Sequence, residues 1–179
     1  YEGSAGVPMI VAGPGVPAGA TIDTPVSHVD CYPTILESVG VAATEEEATL
    51  PGRSLVSLAN GEQPERAVLS EYHDGGAITG MFMTRDEQWK YVSYPGYDPQ
   101  LFDLNEDPDE LVDRGTDPGY QEVRARCEAR LRSVVDPEEV NTCVFSDQKK
   151  RIASLGGFEA VLADGDRYAE YSYTPAPVA

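Results

Sequence analysis

Lysine is nearly missing from this chain. Only Lys90, Lys149 and Lys150 are lysines, and 13 basic residues face 31 acidic ones. The formal net charge of −18 excludes a nucleic-acid-binding surface, which needs clustered positive charge. Cysteine occurs three times, at Cys31, Cys127 and Cys143, an odd number without C-x-x-C spacing. That speaks against a disulfide framework and against a zinc site, and casts all three as small buried apolar groups. No apolar run approaches the ~20 residues of a membrane-spanning helix. Histidine occurs only at His28 and His73. The carboxylate excess leaves two readings open. One is adaptation to high salt, where screening removes self-repulsion; the other is an ordinary acidic protein from a GC-rich genome.

What is present suffices for a core. A length of 179 residues with 41% hydrophobic content suits one domain, or a domain plus a tail. Tyr1 is neither Met nor part of a signal peptide, and residues 1–7 read like the middle of a longer sequence. An N-terminal part is therefore expected to precede them, and targeting signals cannot be judged.

Residues 7–12, Val-Pro-Met-Ile-Val-Ala, form a continuous apolar run ended by Gly13-Pro14-Gly15. The run predicts a strand buried on both faces, as in parallel sheets. Residues 20–26 suit a second extended piece. Residues 30–39 predict a helix with Asp30 as N-cap, Pro33 in the first turn and Gly40 at the C′ position. Residues 55–58 read as a short packed segment. Residues 67–72 are apolar and extended, and end in Glu71-Tyr72-His73. Residues 80–85 and 89–94 predict a hairpin turning at Asp86-Glu87-Gln88, with 101–104 as the next antiparallel strand. Asp107-Pro108 then forces a stop, with a short acidic helical turn after it. Residues 120–134 give the strongest helix, with Val123, Cys127, Leu131 and Val134 at helical spacing. It can cover one face of the small sheet. Beyond Asp136 two further helices are predicted, starting at Asp136-Pro137 and spanning 146–153. Residues 165–179 form a tail bearing Tyr168, Tyr171 and Tyr173.

Each candidate functional residue has a plainer alternative. Asp103, Asn105 and Asp107 imitate the start of an EF-hand calcium loop. Pro108 stands where glycine is required and Arg114 where glutamate is, so a strand end with a capped turn is the better reading. His28 precedes a helix cap and suits a structural, buried role. His73 ends a strand, where α/β enzymes place functional side chains. Glu71 and His73 share a strand face. Both are candidates for contacting substrate, although a loop histidine satisfied by its neighbours is the commoner outcome. Lys90 could meet an anion, but a strand lysine with its head in solvent is more usual. Arg124, Arg126, Arg130 and Arg132 read as a solvated helix face.

Seven short pieces recur in a family order. They are Tyr1-Glu2-Gly3-Ser4-Ala5-Gly6-Val7-Pro8-Met9-Ile10-Val11; Gly13-Pro14-Gly15; Val26-Ser27-His28-Val29-Asp30-Cys31-Tyr32-Pro33-Thr34; Pro51-Gly52-Arg53-Ser54-Leu55; Ser70-Glu71-Tyr72-His73; Trp89-Lys90-Tyr91; and residues 100–110. In that order they resemble the C-terminal part of type I sulfatases, within the alkaline-phosphatase-like superfamily. The resemblance reaches about Gly119; beyond Asp136 the chain looks more distantly like the choline-sulfatase branch. Gly6 departs from the pattern, since family members often carry arginine there.

The resemblance implies an α/β fold. Residues 1–66 would be the end of a large mixed sheet domain, 67–135 a small antiparallel sheet packed by one helix, and 136–179 an extension and tail. It also implies hydrolysis of a small-molecule sulfate ester, using a formylglycine nucleophile and a divalent metal, most often calcium. Cys31-Tyr32-Pro33-Thr34 lacks the arginine of the modified C/S-x-P-x-R motif. Nucleophile and metal ligands are thus expected upstream of Tyr1, neither cofactor is expected on this stretch, and the stretch alone is expected to be inactive. A homo-oligomer and the N-terminal part are the implied partners. Left open are a phosphonate monoester or phosphodiester hydrolase of the same superfamily and a non-catalytic assembly module.

Overall fold

The computed structural model describes residues 1–62, 64–73 and 77–163. The chain divides into two compact units, Tyr1–Pro137 and a second beginning at Glu138.

The first unit is organised by a four-stranded antiparallel meander. Its strands are β1 (Val68–Tyr72), β2 (Met81–Arg85), β3 (Trp89–Ser93) and β4 (Gln100–Asp103), in the order β1-β2-β3-β4. The predicted hairpin and third strand are therefore present, and β1 extends the same sheet. The turn is fixed by Asp86, whose Oδ1 accepts the amide protons of Gln88 at 2.9 Å and Trp89 at 2.6 Å. The outer edge of β4 is closed by Asp113 and Arg114. Leu101 N–H donates to Asp113 Oδ1 at 3.0 Å, and Arg114 N–H to the Leu101 carbonyl at 2.8 Å.

Register sets the two faces of the sheet. Thr84 pairs with Tyr91 and Tyr91 with Leu101, so these share a face with Phe82 and Trp89. Helix α4 (Gln121–Arg132) covers that face through buried Cys127 and Leu131, with Tyr120 edge-on to Trp89 at 5.9 Å. Lys90 pairs with Phe102, and both lie on the opposite face, where the one-turn helix α1 (Glu2–Ala5) sits. Tyr1 packs edge-on against Phe102 at 5.9 Å.

Asp30 joins three further segments. It is fully buried and accepts the amide protons of Ser27 and Arg53, each at 2.8 Å, and both terminal nitrogens of Arg66, at 3.2 and 3.1 Å. The predicted helix is shorter than expected: a 3-10 turn, His28–Asp30, leads into α2 (Cys31–Ser38). Asp30 does not cap α2 with its side chain; the carboxylate turns back to Ser27 and inward to Arg66. Gly40 takes the expected C′ role at φ 68°, with Val41 N–H reaching the Leu36 carbonyl at 3.0 Å. The short packed segment is α3 (Leu55–Ala59), with Leu55 and Leu58 buried.

Several expectations are corrected. Residues 7–12 form no strand, and Ile10 is 88% exposed. A strand exists only beside a partner, and no described segment pairs with this one. Residues 20–26 are likewise irregular. The stop at Asp107-Pro108 is real, but turns follow it rather than a helix, because Glu110 adopts φ 55°. His28 is exposed rather than buried. Of the cysteines only Cys127 is buried; Cys31 is half-buried and Cys143 exposed. The two helices expected from Asp136-Pro137 and over 146–153 are one continuous helix, α5 (Pro137–Ser154), and a further helix not expected from the sequence, α6 (Phe158–Ala163), follows it. No glycine or proline interrupts residues 138–154, so nothing breaks the first helix. The tail, residues 165–179, lies outside the described residues.

Candidate functional site

β1 ends at Tyr72, and His73 is the next residue. Alternation puts Glu71 and His73 on the α4 side of the sheet with Phe82, which faces Glu71 across the ladder. The structure brings the two candidates together: His73 Nε2 lies 3.1 Å from Glu71 Oε2. The imidazole stands edge-on to the Phe82 ring, with centroids 5.1 Å apart and planes at 70°. Gly80 closes the other side, since a Cβ there would stand 2.8 Å from His73 Nδ1 and 3.0 Å from the Phe82 ring. Only glycine at position 80 leaves the imidazole this slot. Thr79, buried next to it, donates its hydroxyl to the Pro95 carbonyl at 3.0 Å and ties the loop to the far end of β3. Both side chains of the pair remain partly open to solvent, 21% for His73 and 32% for Glu71.

A second cluster, on the opposite face, escaped sequence reasoning. Lys90 is 1% exposed, and its Nζ lies 2.6 Å from Glu2 Oε1 and 2.7 Å from Glu110 Oε1. Arg85 Nε approaches the same Glu2 oxygen at 3.3 Å. The Glu2 amide donates to Glu110 Oε2. Burial pushes the Glu2 carboxyl up, but the Lys90 hydrogen bond and charge, joined by Arg85, outweigh it and hold the group below the usual glutamate range. The head of Lys90 is therefore not in solvent. β3 is an interior strand covered on both faces, so parity along it does not decide exposure. The left-handed backbone of Glu110 is the local counterpart, since it aims a buried carboxylate at Lys90. The cluster locks α1 to the sheet beside a cavity of about 210 Å³ lined in part by Tyr1, Ser4, Tyr94 and Phe102.

The remaining candidates are absorbed into structure. Asp103 Oδ1 accepts the Asn105 amide at 3.1 Å, and Asp107 accepts those of Leu111 at 3.0 Å and Val112 at 2.8 Å. These carboxylates cap turns. Among the described residues no group of three or more His, Cys, Asp or Glu side chains is placed to hold a metal ion. Arg130 is not simply solvated, for it bridges Asp86 at 2.9 Å and Glu65 at 2.7 Å. Arg132 pairs with Glu128 one turn away on the helix surface.

Comparison with known proteins fits this architecture. A family profile described as N-sulphoglucosamine sulphohydrolase, C-terminal, matches residues 1–137. Arylsulfatase K of Mus musculus is 36% identical over 163 residues, covering 84% of this chain and 29% of that protein. A putative sulfatase from Bacteroides thetaiotaomicron superposes with a TM-score of 0.55 at 30% identity, over 68% of this chain and 28% of that one. A 2-O GAG sulfatase superposes equally well, TM-score 0.55 at 26% identity, over 78% of this chain and 30% of that one. The chain thus spans about a third of the length of the curated relatives it matches. A match through the whole small-sheet unit, together with this identity to a sulfatase over most of its residues, places the chain in the N-sulphoglucosamine sulphohydrolase C-terminal family of the sulfatases.

Proposed function

We infer that these residues form the C-terminal part of a sulfuric-ester hydrolase acting on a small-molecule sulfate ester. The 36% identity to arylsulfatase K over 84% of the chain carries this reading. The formylglycine nucleophile and the divalent metal, calcium in this proposal, come from sequence preceding Tyr1. The described residues fit neither group: no cysteine begins the modified motif, and the acidic loop after β4 spends its carboxylates on backbone amides. This chain contributes the Glu71–His73 pair to the wall of the substrate cleft. Residues 7–12 are the surface on which the rest of the large sheet docks, and their apolar exposure supports that assignment. Subunit assembly through residues 165–179 belongs to the same proposal and concerns residues outside the described structure.

The test compares the complete protein with residues 1–179 alone. The complete protein hydrolyses 4-nitrophenyl sulfate, loses activity on chelation and regains it with calcium, while the shorter chain hydrolyses nothing. Activity from the shorter chain overturns the division of labour. A complete protein that cleaves a phenyl phosphonate monoester but no sulfate ester overturns the sulfatase reading.

A further inference from the structure

The geometry of the Glu71–His73 pair points to a division of roles within it. An imidazole has two nitrogens with which to meet a ligand. Here Nε2 is 3.1 Å from Glu71, and the Nδ1 edge is pressed against Gly80, so close that a methyl group would not fit. Phe82 takes another side of the ring. The imidazole is thus walled in by named neighbours. The carboxylate is not. Glu71 offers up to four lone-pair sites, uses one oxygen toward His73, and stands at the end of an edge strand with its side chain 32% exposed.

An isolated surface pair of this kind is worth little to stability, because long side chains lose entropy in holding it. The surroundings here reduce that loss. The ring slot between Phe82 and Gly80 is built before any ligand arrives, and Thr79 anchors its loop to Pro95. A carboxylate held by a pre-placed donor while its side chain stays partly open to solvent is an acceptor prepared for a ligand that donates.

We propose that Glu71 is the specificity-determining residue of this site and that His73, Phe82 and Gly80 are its positioning residues. Glu71 accepts a hydrogen bond from a donor on the alcohol portion of the sulfate ester, either a hydroxyl or a protonated amine. The proposal rests on the sulfatase reading above. It sets Glu71 away from the sulfate group itself, which a carboxylate would repel.

The experiment uses the complete protein with three esters: 4-nitrophenyl sulfate, which has no donor, glucose 6-sulfate, which carries hydroxyls, and 2-aminoethyl sulfate, which carries an ammonium. In Glu71→Gln the ratio of kcat/KM for a donor ester to that for 4-nitrophenyl sulfate falls roughly tenfold or more, the scale of one hydrogen bond to a charged group. Loss confined to the 2-aminoethyl ester identifies the ammonium. Loss on glucose 6-sulfate identifies the hydroxyl. His73→Asn and Gly80→Ala lower the same ratio through KM, with kcat for the donor ester nearly kept, because they displace Glu71 without removing it. Glu71→Asp, which keeps the charge but retracts it, provides a second variant should Glu71→Gln fold poorly. A ratio unchanged within twofold in both Glu71 variants overturns the proposal. So does a wild-type enzyme that cleaves 4-nitrophenyl sulfate but neither donor ester. If the wild type cleaves none of the three, the sulfatase reading fails, and the proposal falls with it.

Discussion

Glu2 ties α1 to the first unit by three contacts: ion pairs to Lys90 and Arg85 of the small sheet, and a hydrogen bond donated by its backbone N–H to the Glu110 carboxylate. Its carboxyl is held below the ordinary value by those cations, against the upward push of burial. A carboxyl whose folded pKa is depressed stabilises the fold above its unfolded pKa, and that stability is lost as pH falls through the lowered folded value. The contribution at neutral pH is on the order of 1 kcal/mol, since Glu2 keeps contact with water. Wild type should therefore melt above Glu2→Gln near neutrality, and the gap should close in acid below the usual glutamate range. Thermal melts of both proteins across pH check this; a gap that persists unchanged in acid contradicts it. None of this was legible in the sequence. Lys90 sits 88 positions from Glu2, and the strand pattern around it gives no sign that both faces are covered. The Glu71–His73 contact was legible in part, because strand alternation places the two on one face. The glycine slot was not, since it depends on how the β1–β2 connection returns.

At the scale of elements, local chemistry was a good guide wherever a segment carries its own partners. The β2–β3 hairpin follows from two apolar runs around an Asp-led turn, and α4 from the spacing of Cys127 and Leu131. Residues 7–12 have the composition of an interior strand, but the paired state depends on a neighbour no described segment supplies. The Asp30 node lies between these cases. Its place at a helix entrance was readable; its tie to Arg66, 36 positions away, was not. The node links the His28–Asp30 turn, the chain at Arg53 and the approach to β1. Removing the carboxylate strands a largely buried guanidinium and two amide protons. Asp30→Ala should destabilise the protein by about 3–5 kcal/mol, with Asp30→Asn milder because it keeps an acceptor. Hydrogen exchange separates this from a general loss. Protection at Ser27 and Arg53 should fall first, while β2 and β3 amides hold nearly to the global limit. Equal loss across the sheet would show that the node is not a local clasp.

The whole molecule carries 31 acidic and 13 basic residues. Many of the cations are already engaged: Arg53 with Glu62, Arg66 with Asp30, Lys90 with two glutamates, Arg130 with Asp86 and Glu65, Lys150 with Asp147. The excess carboxylates are therefore left with little positive charge to offset them. Like charges repel over roughly a Debye length, about 10 Å at 0.1 M salt and 3 Å at 1 M. Added salt weakens this repulsion more than it weakens buried pairs such as Arg66–Asp30. The balance predicts that the melting temperature of the complete protein rises between 0.1 M and 2 M sodium chloride. The two sources of the acidity then separate by activity. Adaptation to salt predicts that the complete protein loses structure, and with it the proposed sulfatase activity, on dilution into low salt and recovers both when salt is restored. An ordinary acidic protein keeps its fold and activity at 0.1 M and gains only a few degrees from added salt. A melting temperature that is flat or falls with salt would mean that repulsion among these carboxylates does not limit stability.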